Sequence, residues 1–530
     1  MLKHHLFLLL FISLVSNSCN DSQQNTYENS VVSTAHPLAT KAGLEMYEQG
    51  GNAFDAAVAS GFALAVVEPS MSGLGGRLQA IYKIKGTIAG VDASTEVPMN
   101  YVQSETPVRY GYPTIGIPGV VAGLIAVHNK KGRLSLQQVI APAIRYASDG
   151  FILLPGEAKR QQMAHQQLLE FEGTRHHFLV NDTLSQQAGN RVVQKDLAQV
   201  LGQIAKLGNA GFYQGEVAEK MVDDFASNGG IVTLEDLKNY RARDSKILQG
   251  KFNNHDIYSL YLPSFGAITI QILQILDHLN VPIDQNQWAY QHGKATAAAY
   301  DFRKMQKDSA DLEQIISYEK AKELANQIQT RQKIHHENEA IPVSWTSIDG
   351  HTTHLTTADR WGNVVSLTQT IGPNMGSKVA TKGLGFLYAV TLGGYLGKYQ
   401  PGDRANSHIS PTLIEKEDQT VLALGAAGGS RIVPAITQVT DRFLRQNHEL
   451  KKALSLPRIY PYQDTLWVEN HSGLAGINAN FIRPDYPIKY IDEPARFGRV
   501  HAVAKQNKKW VGAADPDWEG TTAYFPADEN

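Results

Sequence analysis

The chain has 530 residues, 42% hydrophobic and 19% charged, a balance ordinary for a soluble globular protein and ample for a large core. A formal charge of −2 gives no electrostatic reason to expect nucleic acid or an anionic membrane surface as partner. The single cysteine, Cys19, excludes an intramolecular disulfide.

Lys3 precedes an apolar run, Leu6 to Val15, too short to span a bilayer but of the length of a signal-peptide core. It ends at Ser16-Asn17-Ser18-Cys19, which resembles the lipobox of bacterial lipoproteins. Residues 1–19 are therefore expected to be a lipoprotein-type signal peptide, with acylated Cys19 as the only membrane attachment of an exported, periplasmic or cell-surface protein. A plain secretory peptide is the alternative. Residues 20–32 are polar at first and read as a flexible tether.

Pro37 suits a first helical turn, and the helix it opens should stop at Gly50-Gly51. Asn52 can cap the next helix, in which Phe54, Ala57, Val58, Gly61, Phe62 and Ala65 share one face, and Pro69 ends it. The cluster Ser72-Gly73-Leu74-Gly75-Gly76 is either a turn or a place of close backbone approach, and Leu78 to Ile84 is strand-like. Gln287 to Gln329 is polar and helix-favouring, with a turn signal around Ser309. Arg331 to Glu339 reads as a charged loop.

The informative stretch begins at Asp349-Gly350-His351-Thr352-Thr353-His354. His354 to Ala358 is predicted as a strand, Asp359 to Asn363 as a turn, and Val364 to Thr370 as the return strand. With Trp361 at the centre, Thr352 and Thr370, each nine residues away, face each other at the open end of one hairpin. Such a pair is either ordinary cross-strand chemistry or two hydroxyls held for use. Further on, Gly372 to Gly376 reads as a loop rimming the site. Pro411 to Glu415 and Thr420 to Leu424 pair about Glu417-Asp418 and lead into Gly425-Ala426-Ala427-Gly428-Gly429-Ser430-Arg431. A glycine turn opening a helix presents free backbone N–H groups, which suits a developing oxyanion.

Gly50 through Ala59, the glycine run after Pro69, Gly116-Ile117-Pro118-Gly119, Pro142 through Phe151, Gly211-Phe212-Tyr213, Gly229 through Leu237 and Asp515-Pro516 together resemble the γ-glutamyltranspeptidase family. The resemblance runs from about Ser33 to the end. It implies an α+β fold, the four-layer αββα sandwich of the N-terminal nucleophile hydrolases. It also implies a chain that cuts itself between His351 and Thr352 into a large chain, 33–351, and a small chain, 352–530. The family's Thr-Thr-His matches Thr352-Thr353-His354, its second threonine matches Thr370, and its oxyanion glycines match Gly428 and Gly429. The implied enzyme is a threonine amidase or acyltransferase that passes an acyl group to water or an amine. No cofactor is expected.

The sequence departs from that family where γ-glutamyl compounds are held. Ser94, in Asp92-Ala93-Ser94, stands where an arginine grips the substrate carboxylate. Gly394 replaces the acid that holds the α-amino group, and Thr391 replaces the glutamine before it. Of a serine pair, Ser407 remains and His408 replaces its neighbour. These losses remove charge-assisted contacts worth roughly 1.5–3 kcal/mol each, so a small-molecule or peptide amide other than glutathione is the expected substrate. Arg77 and Arg404 are candidate replacement cations, with a solvated or structural arginine the alternative at position 77. A metal hydrolase using His351 and His354 lacks a His-Glu-x-x-His motif and companion ligands, so no metal is expected. The remaining rival is a non-catalytic lipoprotein of the same descent that binds a small molecule or peptide.

Overall fold

The computed structural model describes residues 26–106, 108–305, 309–330, 352–394, 398–463, 465–470, 477, 487–492 and 497–526. The expected signal segment with Cys19, the stretch 331–339 read as a loop, and His351 lie outside the described residues.

Two antiparallel sheets lie face to face. The first runs, in spatial order, Thr521–Pro526, Asn29–Thr34, Thr353–Ala358, Val364–Thr370, Arg77–Ile84, Thr87–Ala93 and Arg243–Ser245. The second runs Lys509–Ala514, Arg499–Gln506, Gln419–Ala427, Thr412–Lys416, His255–Leu260 and Ile247–Phe252. Helices Pro37–Glu48, Ala53–Val67, Val120–Lys131 and Leu136–Asp149 cover the first sheet and share one apolar core with it. Helices Gly266–Asp277, Gln285–Asp301 and Ile432–Leu444 cover the second. The order helix, sheet, sheet, helix is the expected αββα sandwich, each sheet burying one face on helices and the other on its partner.

Three expectations change. The tether cannot reach residue 32, because Asn29–Thr34 is an inner strand of the first sheet, and Tyr27 just before it stacks on Trp510 at 4.1 Å. The strand's alternating Val31 and Val32 are both buried, one toward each face, which overrides the polar composition around it. The second helix is buried on every side rather than on one face. Its Ala, Ser and Gly positions let neighbouring helices approach, and a Cβ on Gly43 would fall 2.5 Å from the Ser60 hydroxyl. The stretch 287–329 is helical with a break before Ser309, as read, but it breaks a second time. Among the described residues it forms Gln285–Asp301, the 3-10 turn Phe302–Met305, Ser309–Ile315 and Tyr318–Gln329, the last capped by the Ser317 side chain. The Asn52 capping box, by contrast, forms as read: its side chain accepts from Phe54 and Asp55, and Asp55 accepts from the Asn52 N–H.

Candidate active site

The hairpin holds the site. Thr353 pairs with Gln369 and His354 with Thr368, the register centred on Trp361. One residue beyond the ladder, Thr352 Oγ1 donates to Thr370 Oγ1 at 3.1 Å, and Thr370 Oγ1 also accepts from the Gly372 N–H at 2.9 Å. Both threonines are buried. The turn is fixed by Asp359, whose carboxylate accepts from the N–H groups of Trp361 and Asn363 and from that of Ala53 at the start of the second helix. Burial raises the Asp359 pKa, and these hydrogen bonds oppose the rise. Thr352 has φ of +97°. A β-branched residue pays roughly 1–3 kcal/mol for such a backbone, and the angle turns about the bond next to its link with His351.

Beneath the pair lies a column of polar side chains between the sheets. His354 Nδ1 meets Thr368 Oγ1 at 2.8 Å and Nε2 meets Thr356 Oγ1 at 2.9 Å. Thr356 has one proton and donates it to the His501 carbonyl at 3.0 Å, so His354 Nε2 carries the hydrogen and Nδ1 accepts from Thr368. Full burial lowers the His354 pKa to about 3, which keeps the ring neutral in this tautomer. The ring fits because position 425 has no side chain: a Cβ on Gly425 would lie 2.4 Å from His354 Cε1.

That contact aligns the second sheet with the hairpin. Ser366 donates to the Leu424 carbonyl at 3.0 Å and His354 covers Gly425, so the strand Gln419–Ala427 heads from the middle of the hairpin toward the threonine end. It finishes in Gly428 (φ +137°) and Gly429 (φ +61°), followed by the short turn Gly429–Arg431 and the helix Ile432–Leu444. A Cβ on Gly428 would fall 2.8 Å from Gly498 Cα. The earlier glycine cluster is a place of close approach: a Cβ on Gly76 would lie 2.6 Å from the Thr370 carbonyl oxygen.

The other sequence-derived residues spread along this frame. Arg77 is paired in register with Thr370 and is buried rather than solvated, with Nη2 3.2 Å from where a Cβ on Gly372 would stand. Ser94 is one strand further out, fully buried, its hydroxyl accepting from Gln79 Nε2 at 3.2 Å. Thr391 is buried on Thr114, whose carbonyl accepts its N–H, and the Thr391 hydroxyl has no hydrogen-bond partner among the described residues. Gly394 lines a cavity of about 400 Å³ together with Tyr101, Val102, Val108, Pro113 and Ile231. Ser407 and His408 sit at the Pro263–Phe265 corner: the Ser407 N–H donates to the Pro263 carbonyl, and the His408 ring meets Phe265 edge-on at 4.9 Å. Arg404 is not a replacement cation. Its guanidinium is tied to the Asp92 carbonyl at 2.8 Å and lies 3.3 Å from both the Asp92 and Glu96 carboxylates.

Sequence reading missed a buried charge cluster on the helix side of the hairpin. Arg160 contacts Glu157 at 2.9 Å and Glu68 at 3.3 Å, Arg499 reaches Glu68 at 3.6 Å, and the Trp518 ring lies against both guanidinium groups. Burial raises the Glu68 pKa, and the two arginines counter it. Arg499 pairs with Ala427, the residue before the glycine turn. Only the Glu157–Arg160 pair is local, at i and i+3; Glu68 lies 92 residues before Arg160 and Arg499 lies in the second sheet, so the group meets only when both sheets have formed.

The family model described as gamma-glutamyltranspeptidase matches residues 39–525. The chain belongs to the γ-glutamyltranspeptidase family. It is 30% identical over 556 residues to the glutathione hydrolase proenzyme of Bacillus subtilis (strain 168), covering 94% of this chain and 92% of that one. It is likewise 30% identical over 516 residues to the acylase ACY 1 proenzyme of Pseudomonas sp. (strain V22), covering 90% of each. The crystal structure of cephalosporin acylase from Bacillus halodurans shares the fold, with a TM-score of 0.83, 24% identity and coverage of 94% and 96%. The protein is therefore an N-terminal nucleophile hydrolase, a self-processing amidase or acyltransferase working through large and small chains of one precursor.

Proposed function

We propose that this family member cuts itself between His351 and Thr352 and then uses Thr352 to cleave amides whose acyl group is not a γ-glutamyl zwitterion. The hydroxyl pair Thr352–Thr370 is the observation that carries the first half. In the precursor the Thr352 oxygen attacks the His351 carbonyl carbon, the C–N bond breaks, and the resulting ester is opened by water. That leaves a carboxylate on His351 and a free α-amine on Thr352. The positive φ at Thr352 supports this location, because the dihedral ceases to exist once the bond in front of it opens. An α-amine with a pKa of roughly 7.7–8.0 is substantially neutral near pH 7.5 and takes the proton of its own hydroxyl as that oxygen attacks a substrate carbonyl. The N–H groups of Gly428 and Gly429 face the developing oxyanion, and Thr370 holds the attacking hydroxyl in line. Water or an amine then takes the acyl group from Thr352.

The second half rests on Gly394. It offers no anion for an α-ammonium group where the family's acid would stand, which favours an acyl group without that charge. Arg77, buried beside Gly372, is the candidate cation for an acyl group that carries a carboxylate but no amine. On the N-terminal sequence alone, Cys19 is proposed as the acylated residue that anchors the exported enzyme. The test of specificity compares p-nitroanilides of γ-glutamate, glutarate and butyrate on processed protein. Glutaryl or butyryl anilide should exceed γ-glutamyl anilide at least tenfold in kcat/KM; preference for the γ-glutamyl compound contradicts the reading of Ser94 and Gly394.

A further inference from the structure

We propose that His176, His177 and Asp196 form a site for a divalent transition cation of the zinc type, built from residues outside the threonine site. The two histidines end the helix Glu172–Phe178, and Asp196 stands in the first turn of the helix Lys195–Leu207. One ligand atom from each of the three side chains lies within 4.8 Å of the others. His177 is the anchor. Its side chain is nine-tenths buried, and Nε2 has no hydrogen-bond partner among the described residues, facing Asp196 Oδ2 at 3.9 Å. A buried imidazole nitrogen left unbonded beside a carboxylate just beyond hydrogen-bond range is an arrangement that a shared cation completes.

The donor set selects the ion. Two imidazole nitrogens and one carboxylate oxygen suit zinc, cobalt or nickel, whereas calcium and magnesium want shells built of oxygen. Ligands on a tetrahedral zinc stand about 3.4 Å apart, so closing the site asks only for small side-chain rotations, with water in the fourth position. Asp182, with Oδ1 4.0 Å from His176 Nδ1, adds a second negative charge beside the cluster. Two neutral imidazoles and two carboxylates balance one dication.

The site also has a mechanical setting. The helix Glu172–Phe178 is fastened to the segment after Thr370: the Thr174 hydroxyl donates to the Lys378 carbonyl at 2.7 Å, and Lys382 pairs with Glu172 at 2.8 Å. Gly385 packs against the site itself, since a Cβ there would lie 3.1 Å from the Leu197 N and 3.6 Å from His177 Nδ1. A cation held here clamps two large-chain helices under a small-chain loop, so its effect is on how the two chains stay together rather than on bond cleavage.

The experiment titrates metal-free, full-length processed protein with Co2+ and reads the visible absorption of the bound ion, then displaces it with Zn2+ while melting is followed in parallel. One saturable equivalent is expected, displaced by Zn2+, with a Zn2+-dependent rise in melting temperature. His176→Ala and Asp196→Asn, both at sites exposed enough to fold normally, should each weaken Co2+ binding at least tenfold and abolish the thermal rise. His177→Ala should do the same where it folds. The proposal is overturned if wild type shows no saturable Co2+ band, or if His176→Ala and Asp196→Asn bind and melt as wild type does.

Discussion

The two ends of the space between the sheets are built from the same hairpin yet hold opposite chemistry. At the turn end, Ala358 and Val364 pack with Val31, Ile81, Leu413, Ala423, Val503 and Trp510 into a dry core. At the open end, the same alternation presents Thr356, His354 and Thr352 on one strand and Ser366, Thr368 and Thr370 on the other. The change from apolar to hydroxyl side chains occurs within one strand step. One end secures the sandwich by burial, and the other end spends part of that stability on a polar column whose top member is Thr352, the proposed nucleophile. The column is affordable because its groups satisfy one another, His354 using both ring nitrogens.

This contrast can be broken at either end. The largest expected effect is at the open end: Thr352→Ala should leave one uncut chain and lower amide turnover more than about 1000-fold, read by denaturing gel and anilide assay, while its melting temperature stays near that of uncut wild type. A variant that still turns over at a tenth of the wild-type rate removes Thr352 from the mechanism. Trp510→Ala acts at the other end. Its ring stacks on Tyr27 and its Nε1 donates to the Asp359 carbonyl at 2.9 Å, so the loss should be about 3–5 kcal/mol of stability in chemical denaturation. Protein that remains folded should keep kcat within about twofold.

Gly425→Ala joins the two ends. The added methyl would stand 2.4 Å from His354 Cε1 and must push the ring or the strand. We expect about 1–3 kcal/mol of destabilisation together with a drop in kcat, because the glycine turn continues from this strand. A loss of stability with kcat intact would separate the histidine column from the site. The smallest effect concerns pH. His354 has a folded pKa of about 3 against an unfolded value near 6.5, so the unfolded chain binds the extra proton throughout that window. Its contribution to stability is complete above about pH 6.5 and declines as pH falls, by at most about 1.4 kcal/mol per unit. His354→Gln should show a shallower decline than wild type in denaturation measured between pH 6.5 and 4.

The hairpin and the capping box were legible because each is local: Asp359, Gly362 and Asn363 set the turn, and the turn sets the register that brings Thr352 to Thr370. The family resemblance supplied the layer order, which periodicity alone does not give for a helix buried on all sides. The start of the first strand was hidden by its polar flanks, and its place in the sheet depends on pairing with Thr353–Ala358 and Thr521–Pro526. Arg77 left open alternatives as a sequence position, and only burial beside Gly372 removes the solvated one. The Glu68–Arg160–Arg499 cluster had no sequence signal, since its charges look like surface residues until the fold encloses them.

The central claim is that the Thr352 hydroxyl obtains its base from its own peptide bond. Protein purified from cells should be separated on a denaturing gel and the amino end of the smaller fragment determined by sequencing or intact mass. The account predicts a smaller fragment whose amino end is Thr352, present in all active preparations. An active preparation that remains continuous across His351 and Thr352, or that is cut only elsewhere, contradicts it.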